Sequence, residues 1–257
     1  MNTNRFPVIF AGHGSPMNAI EDTPYSRTWE QIGAGLPRPK AILCVSAHWQ
    51  TGGSQVTAME QPKTIYDFYG FPPELYQKSY PAPGSPELAQ QVQSALGPTP
   101  VVLDQAWGLD HGTWSVLARM FPQADIPVVQ LSLDATRPEA YHFELGKRLL
   151  PLREQGILIL GSGNIVHNLR LLNWDERPLD WALEADARSQ QLIENHDYAG
   201  MVSFPQSSRA ARLAVPTNEH FLPLLYILAL HQEGEELRFF NDSLSLGSLS
   251  MRSVIIG

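Results

Sequence analysis

Ile42-Leu43-Cys44-Val45-Ser46-Ala47-His48-Trp49 is an apolar run that shortens into small residues and then meets a histidine. It has no polar alternation, so it has no face to give to water. That is the pattern of a central strand in a mostly parallel sheet covered on both sides. Working outward, comparable runs occur at 7–11, 127–133, 156–160 and 250–256, with shorter ones at 55–58 and 101–103; the quoted run itself gives a strand at 41–46. Between them lie helical patterns at 24–32, 86–96, 113–120, 138–155, 178–195 and 219–231. Several open with proline close to Ser, Thr or Asp, as in Thr136-Arg137-Pro138-Glu139, which is the expected chemistry of a helix start. Alternating strands and helices predict an α/β fold, a three-layer sandwich whose central, mostly parallel (mixed) sheet is flanked by helices.

The chain has 257 residues, 43% of them hydrophobic and 17% charged. This suffices for one large core, and one catalytic domain over 1–257 is expected. A net charge of −8 with no Lys/Arg cluster speaks against nucleic acid and anionic membrane as partners. The first residues lack the features of a signal peptide, and no apolar stretch approaches the roughly 20 residues that span a bilayer. The lone cysteine, Cys44, excludes an internal disulfide and reads as a buried, inert thiol, so a cytoplasmic setting is expected. Oligomeric state is not legible. Residues 66–86 are aromatic and rich in Pro and Gly without periodicity, which marks a lid or pocket wall or else a structural excursion.

Histidines stand where such a sheet places its ligands, beyond the carboxyl ends of strands. His13 follows the first apolar run, His48 closes the second, His111 follows 101–103, and His167 follows 156–160 in Gly161-Ser162-Gly163-Asn164-Ile165-Val166-His167. His220 opens the last helical pattern and is a fifth candidate. One such histidine alone is more often a hydrogen-bonded structural residue; five that could converge point to a metal. His142, His196 and His231 fall in or at the ends of helices, where solvated, capping or dipole-pairing roles suit them. Imidazole suits zinc, iron, copper or nickel, and a closed structural zinc site would call for several cysteines. An open, catalytic site is therefore expected.

The ordered set His13-Gly14-Ser15-Pro16, Ser46-Ala47-His48-Trp49, Asp110-His111-Gly112-Thr113-Trp114, Ser162 to His167 and Glu219-His220-Phe221-Leu222-Pro223 resembles the class III extradiol dioxygenases of the LigB-like superfamily. More narrowly, it is similar to their 4,5-DOPA dioxygenase extradiol branch, as are Tyr80 to Gly84 and Gly247 to Met251. The resemblance implies a non-haem iron(II) enzyme that opens a catechol such as L-DOPA with O2. It implies that His13, His48 and His220 match metal-binding positions, that His167 matches a position described both as ligand and as base, and that His111 matches a proton relay. Zinc binding is also described in this branch, so zinc is the expected bound ion and iron(II) the ion needed for activity.

The usual non-haem oxygenase set is two histidines and a carboxylate. Here Glu219 and His220 are adjacent and point differently, so one of them binds, and the motif favours His220. Asp110 reads either as an orienting partner of an imidazole or as a surface-turn residue. Tyr66, Phe68 and Tyr69 are candidates for an aromatic wall, with Tyr69 assigned to the substrate. Two other readings remain open: a zinc-dependent hydrolase with a metal-activated water, and a non-catalytic binding protein on the same fold.

Overall fold

The computed structural model describes residues 5–257. The chain begins with β1 (Val8–Gly12), α1 (Pro24–Gly35), β2 (Ala41–Thr51) and β3 (Ser54–Thr57). A segment without regular structure leads to α2 (Pro73–Gln77), then α3 (Pro86–Leu96), β4 (Val101–Asp104), α4 (His111–Met120) and β5 (Val128–Asp134). Next come α5 (Glu139–Lys147), α6 (Leu150–Glu154), β6 (Ile157–Gly163), α7 (Asp180–Glu194), α8 (Tyr198–Ser207), α9 (Arg209–Ala214) and α10 (Leu222–Leu228). The chain closes with β7 (Leu237–Phe240), β8 (Leu244–Ser245), β9 (Leu249–Ser250) and β10 (Ser253–Ile256).

Eight strands form one sheet in the order β4-β3-β5-β2-β6-β1-β10-β7, and β8 pairs with β9 apart from it. β2 runs parallel to β5 and β6, β6 parallel to β1, and β3 parallel to β4. The pairs β3–β5, β1–β10 and β10–β7 are antiparallel. β1, β5 and β6 are buried at every residue, β1 and the first half of β6 as unbroken apolar runs, β5 with Gln130, Ser132 and Asp134 buried among its apolar residues. Their side chains alternate between two cores. Phe10, Leu43, Leu131 and Ile159 pack in one core with residues of α3, α5 and α7 to α10; Ile9, Ile42, Val128 and Leu158 pack in the other with α1 and α4. The three layers predicted from sequence are thus present. Among the described residues no helix is long and apolar enough to cross a membrane.

Several boundaries differ from expectation, for physical reasons. β2 does not stop at Ser46 but runs on to Thr51, with its register against β5 shifting between Val45 and Gln50. His48 therefore sits inside an irregular strand, where such a shift re-aims a side chain. The helical pattern at 138–155 divides into α5 and α6, with Pro151 in the first turn of α6, where its missing N–H costs nothing. The pattern at 219–231 is helical only from Leu222, so His220 lies in the turn before α10. The terminal run breaks at Met251 into β9 and β10. The pieces α2, α8, α9, β7 and β8 were too short or too irregular to show a period.

β1, β6 and β2 are neighbours pointing the same way, so their carboxyl ends share one edge. Two glycines let other backbone close in on that edge. Gly12 lies against the backbone of Met251, and Gly163 lies against the His220 carbonyl, which accepts from Asn164 N at 2.9 Å. A methyl group at Gly163 would run into the His220 carbonyl oxygen, a backbone atom with no rotamer to yield. Gly163→Ala is therefore expected to cost about 1–3 kcal/mol by overpacking and to displace His220, one of the metal-ligand candidates that the sequence singles out. Urea unfolding together with zinc titration checks this; unchanged affinity would show that the turn is not held by this contact.

Candidate active site

The structure brings His13, His48, His111, His167 and His220 together at the sheet edge. Ring centroids of His13 lie 5.0 Å from His48, 5.3 Å from His220 and 5.6 Å from His111. His48 is 3.9 Å from His111 and 4.9 Å from His220. His167 stacks face to face on His220 at 3.5 Å and 8°. Each arrives on a different element: His13 just after β1, His48 within β2, His111 as first residue of α4, His167 beyond β6, and His220 in the turn before α10. His167 is held by its backbone, which donates to Ala214 O at 2.8 Å and bridges to Leu249.

Hydrogen bonds to oxygen draw the proton of three of these rings, His13, His111 and His220, to Nδ1. The Ser162 hydroxyl donates to Gly112 O, so its oxygen accepts from His13 Nδ1 at 3.0 Å. Glu219 Oε1 accepts from His220 Nδ1 at 3.1 Å. Asp67 Oδ2 accepts from His111 Nδ1 at 2.9 Å and stands 3.3 Å from His48 Nδ1. With protons drawn to Nδ1, the Nε2 atoms of His13 and His220 are left with lone pairs, and Asp67 offers His48 Nδ1 an oxygen that would do the same. The Nε2 atoms of His13 and His48 face each other at 3.2 Å, and one ring nitrogen from each of His13, His48 and His220 lies within 4.8 Å of the others.

Burial and charge contacts keep His13, His48, His167 and His220 neutral. His13 and His220 are pushed well below the ordinary imidazole value, first by burial and then by the surrounding imidazoles. Burial, reinforced by His111, lowers His48 to about 3 against the pull of Asp67. Burial lowers His167 to about 4 against the pull of Glu219. For Asp67, burial works upward, but its hydrogen bonds and charge contacts with His111 and His48 outweigh it and hold the carboxyl below its ordinary value. Three neutral nitrogen donors with convergent lone pairs and no thiolate fit a borderline divalent ion such as zinc or iron(II).

Asp110 is neither a surface-turn residue nor an imidazole partner. It is fully buried and caps α4, accepting from Thr113 N (3.2 Å), Ser46 Oγ (2.7 Å) and Gln130 Nε2 (2.7 Å). The orienting carboxylate is Asp67, which sequence reading passed over. Its only signal was an acid set among aromatic residues in the aperiodic segment. Tyr69, expected against the substrate, is 92% exposed, while Phe68 lies edge-on to His111 at 5.5 Å. Tyr66 donates to Lys78 O and packs on Trp114. His142 is not solvated; it is buried on α5, with Nδ1 3.0 Å from the Tyr226 hydroxyl. His231 follows α10 rather than ending it and meets the Tyr198 hydroxyl at 2.6 Å.

The lowered imidazoles make a prediction. Below the ordinary value of 6.5 the unfolded chain takes up protons that the folded, metal-free site refuses. The stability these groups contribute is therefore complete above 6.5 and is lost as pH falls toward their folded values. Urea midpoints of metal-free protein at about pH 7.5 and about pH 5.5 should differ, the latter being lower; a rise on acidification would contradict neutral, buried rings.

Residues 7–246 match the family described as the catalytic LigB subunit of aromatic ring-opening dioxygenase. The chain is 49% identical over 266 residues to a 4,5-DOPA dioxygenase extradiol of Escherichia coli strain K12, covering 100% of this chain and 97% of that one. It is 38% identical over 254 residues to a protein of the same name from Beta vulgaris, covering 95% and 94%. The crystal structure of an uncharacterized protein from Escherichia coli K12 superposes with a TM-score of 0.86 at 46% identity, covering 98% of this chain and 100% of that one. This chain belongs to the LigB family of aromatic ring-opening dioxygenases.

Proposed function

We propose that the protein cleaves a catechol, L-DOPA or a close analogue, beside its two hydroxyls (4,5-cleavage), with both atoms of O2 entering the product. The observation that carries this is the set of three lone pairs on His13, His48 and His220, built beside two further imidazoles. Those three side chains hold the metal in this reading. Glu219 serves instead as the oxygen partner of His220 Nδ1, a place reinforced by the Thr217 hydroxyl, which donates to the same oxygen at 2.9 Å. Iron(II), when bound, supplies the redox link between an electron-rich catecholate and dioxygen; zinc fits the same nitrogens but has no redox chemistry.

The chain's own residues handle protons. His167 stands outside the three-nitrogen group, neutral and stacked on His220, and accepts a proton from a substrate hydroxyl. His111 is the second acid–base group, held through Nδ1 by Asp67 so that Nε2 is free for exchange. Phe68, with Tyr66 and Trp114 behind it, walls the site on the side of His111. The substrate's identity as L-DOPA rests on relatives that carry that name.

Anaerobic loading with iron(II), followed by L-DOPA in air, should consume oxygen and give a yellow ring-opened product. Zinc-loaded protein should consume none, which separates this reading from a zinc hydrolase. His167→Ala should lose on the order of 10²–10⁴-fold in kcat while retaining its metal. Iron-loaded protein that takes up no oxygen with any simple catechol would sink the reading.

A further inference from the structure

The oxygen partners of the site's imidazoles are not equivalent. Ser162 serves His13 alone and Glu219 serves His220 alone, whereas Asp67 is hydrogen-bonded to His111 and also stands 3.3 Å from His48 Nδ1. Asp67 Oδ1 accepts the backbone N–H of His111 at 2.9 Å, and Oδ2 faces His111 Nδ1 at 2.9 Å and His48 Nδ1 at 3.3 Å. The nearest polar atoms to this carboxylate are thus all nitrogens. Its side chain is 17% exposed. The segment carrying it has no helix or strand of its own but is fastened to the start of α4. Ile65 N donates to Leu109 O (2.7 Å), Leu109 N to Lys63 O (2.9 Å), and Trp114 Nε1 to Ile65 O (2.8 Å). Phe68, the next residue, packs on Trp114 and His111. The carboxylate is therefore delivered on a braced backbone, not on a free loop.

We infer that Asp67 is a positioning residue that sets the tautomers of His48 and His111 together, holding the proton of each on Nδ1. The Nε2 of His48 is then a lone pair for the metal and the Nε2 of His111 a lone pair for proton exchange. One residue of the aperiodic segment thereby prepares both halves of the chemistry. The inference rests on the reading of His48 as a metal donor. Its general basis is that partners of ligating imidazoles choose the coordinating nitrogen, typically at a cost of about 10–100-fold in affinity or activity when removed.

Asparagine separates this role from a merely structural one. It matches aspartate in shape, so a packing role would tolerate Asp67→Asn better than Asp67→Ala. A tautomer-setting role predicts the reverse. If the amide oxygen keeps the His111 backbone N–H, its NH2 confronts two Nδ1 protons; if the amide turns over, the NH2 confronts the backbone N–H. The first conflict is relieved only when the rings move their protons to Nε2, where His48 no longer coordinates. Alanine leaves both rings free to choose.

The test measures zinc(II) and iron(II) dissociation constants by chelator competition for wild type, Asp67→Ala, Asp67→Ser and Asp67→Asn, with urea unfolding of the metal-free proteins alongside. Affinity should fall about 10-fold or more in the alanine and serine variants and further in the asparagine variant, although the asparagine variant is the better folded. Nitrogen-15 correlation spectra of metal-free protein should place the His48 and His111 protons on Nδ1 in wild type and move them to Nε2 in Asp67→Asn. An asparagine variant that binds metal as tightly as wild type, or better than alanine, overturns the inference, as do wild-type spectra with either proton on Nε2. Wild type that binds metal in this order yet cleaves no catechol would remove the dioxygenase reading and leave the role of Asp67 intact.

Discussion

With the proton of each ring on its Nδ1, the Nε2 atoms of His13 and His48, which face each other at 3.2 Å, would have no proton to share. The contact is unfavourable on its own and becomes favourable only around a positive centre. Protonating the rings offers no escape: two imidazolium ions about 5 Å apart would repel by roughly 3 kcal/mol even at an effective dielectric of ~20, and burial adds to that. The rings stay neutral, and neutral imidazole is the form that ligates. The arrangement at the sheet edge follows from that constraint, because each surrounding oxygen has to accept a proton rather than give one. Ser162 meets it by spending its own proton on Gly112 O.

The fold meets the same constraint by bringing rigid backbone, rather than flexible side chains, to the edge. Three parallel neighbours, β1, β6 and β2, deliver His13, His167 and His48 with strand-like precision. His220 arrives on a turn rather than a strand, and it is pinned by the close approach of Gly163 and by the Asn164 amide. Asn164 also reaches the other way, donating to Ser250 O and lying 3.3 Å from Gly14 N. One side chain thus ties the segments after β1 and β6 to the C-terminal strands. Beneath them, Asp110 caps α4 and accepts from Ser46 and Gln130 in full burial, which fixes His111 one residue further on.

How much of this could be read from residues alone depends on range. β5 and β6 were legible because burial on both faces writes a largely apolar run, interrupted in β5 by Gln130 and Ser132. The five histidines that meet at the sheet edge could be singled out because four of them follow or close apolar runs and the fifth stands at the start of a helical pattern. Asp67 was not, because what makes it matter is the distance to His111 and His48, and no periodicity carries that. Tyr69 and Phe68 are neighbours of equal aromatic character, and only the path of an aperiodic backbone decides that Phe68 meets the site while Tyr69 meets water. Asp110 could be read as a turn residue or as an imidazole partner but not as a cap, since helix caps and surface turns draw on the same residue types.

The placement of the carboxylates carries the argument one step further. Glu219 and Asp67 both lie beside the three-nitrogen group, yet each is engaged with an Nδ1 on the far side of a ring. On the proposed reading a divalent ion here keeps its full charge within its own donor set, with the two negative charges one imidazole away. An ion so placed attracts a doubly charged catecholate more strongly than one already neutralised by a directly bound carboxylate. At the same time the outer carboxylates make the imidazoles better donors. Replacing the carboxylate of the common two-histidine set by His220 therefore does not discard the negative charge. It moves that charge outward by one ring, where it tunes the metal without competing with the substrate for it.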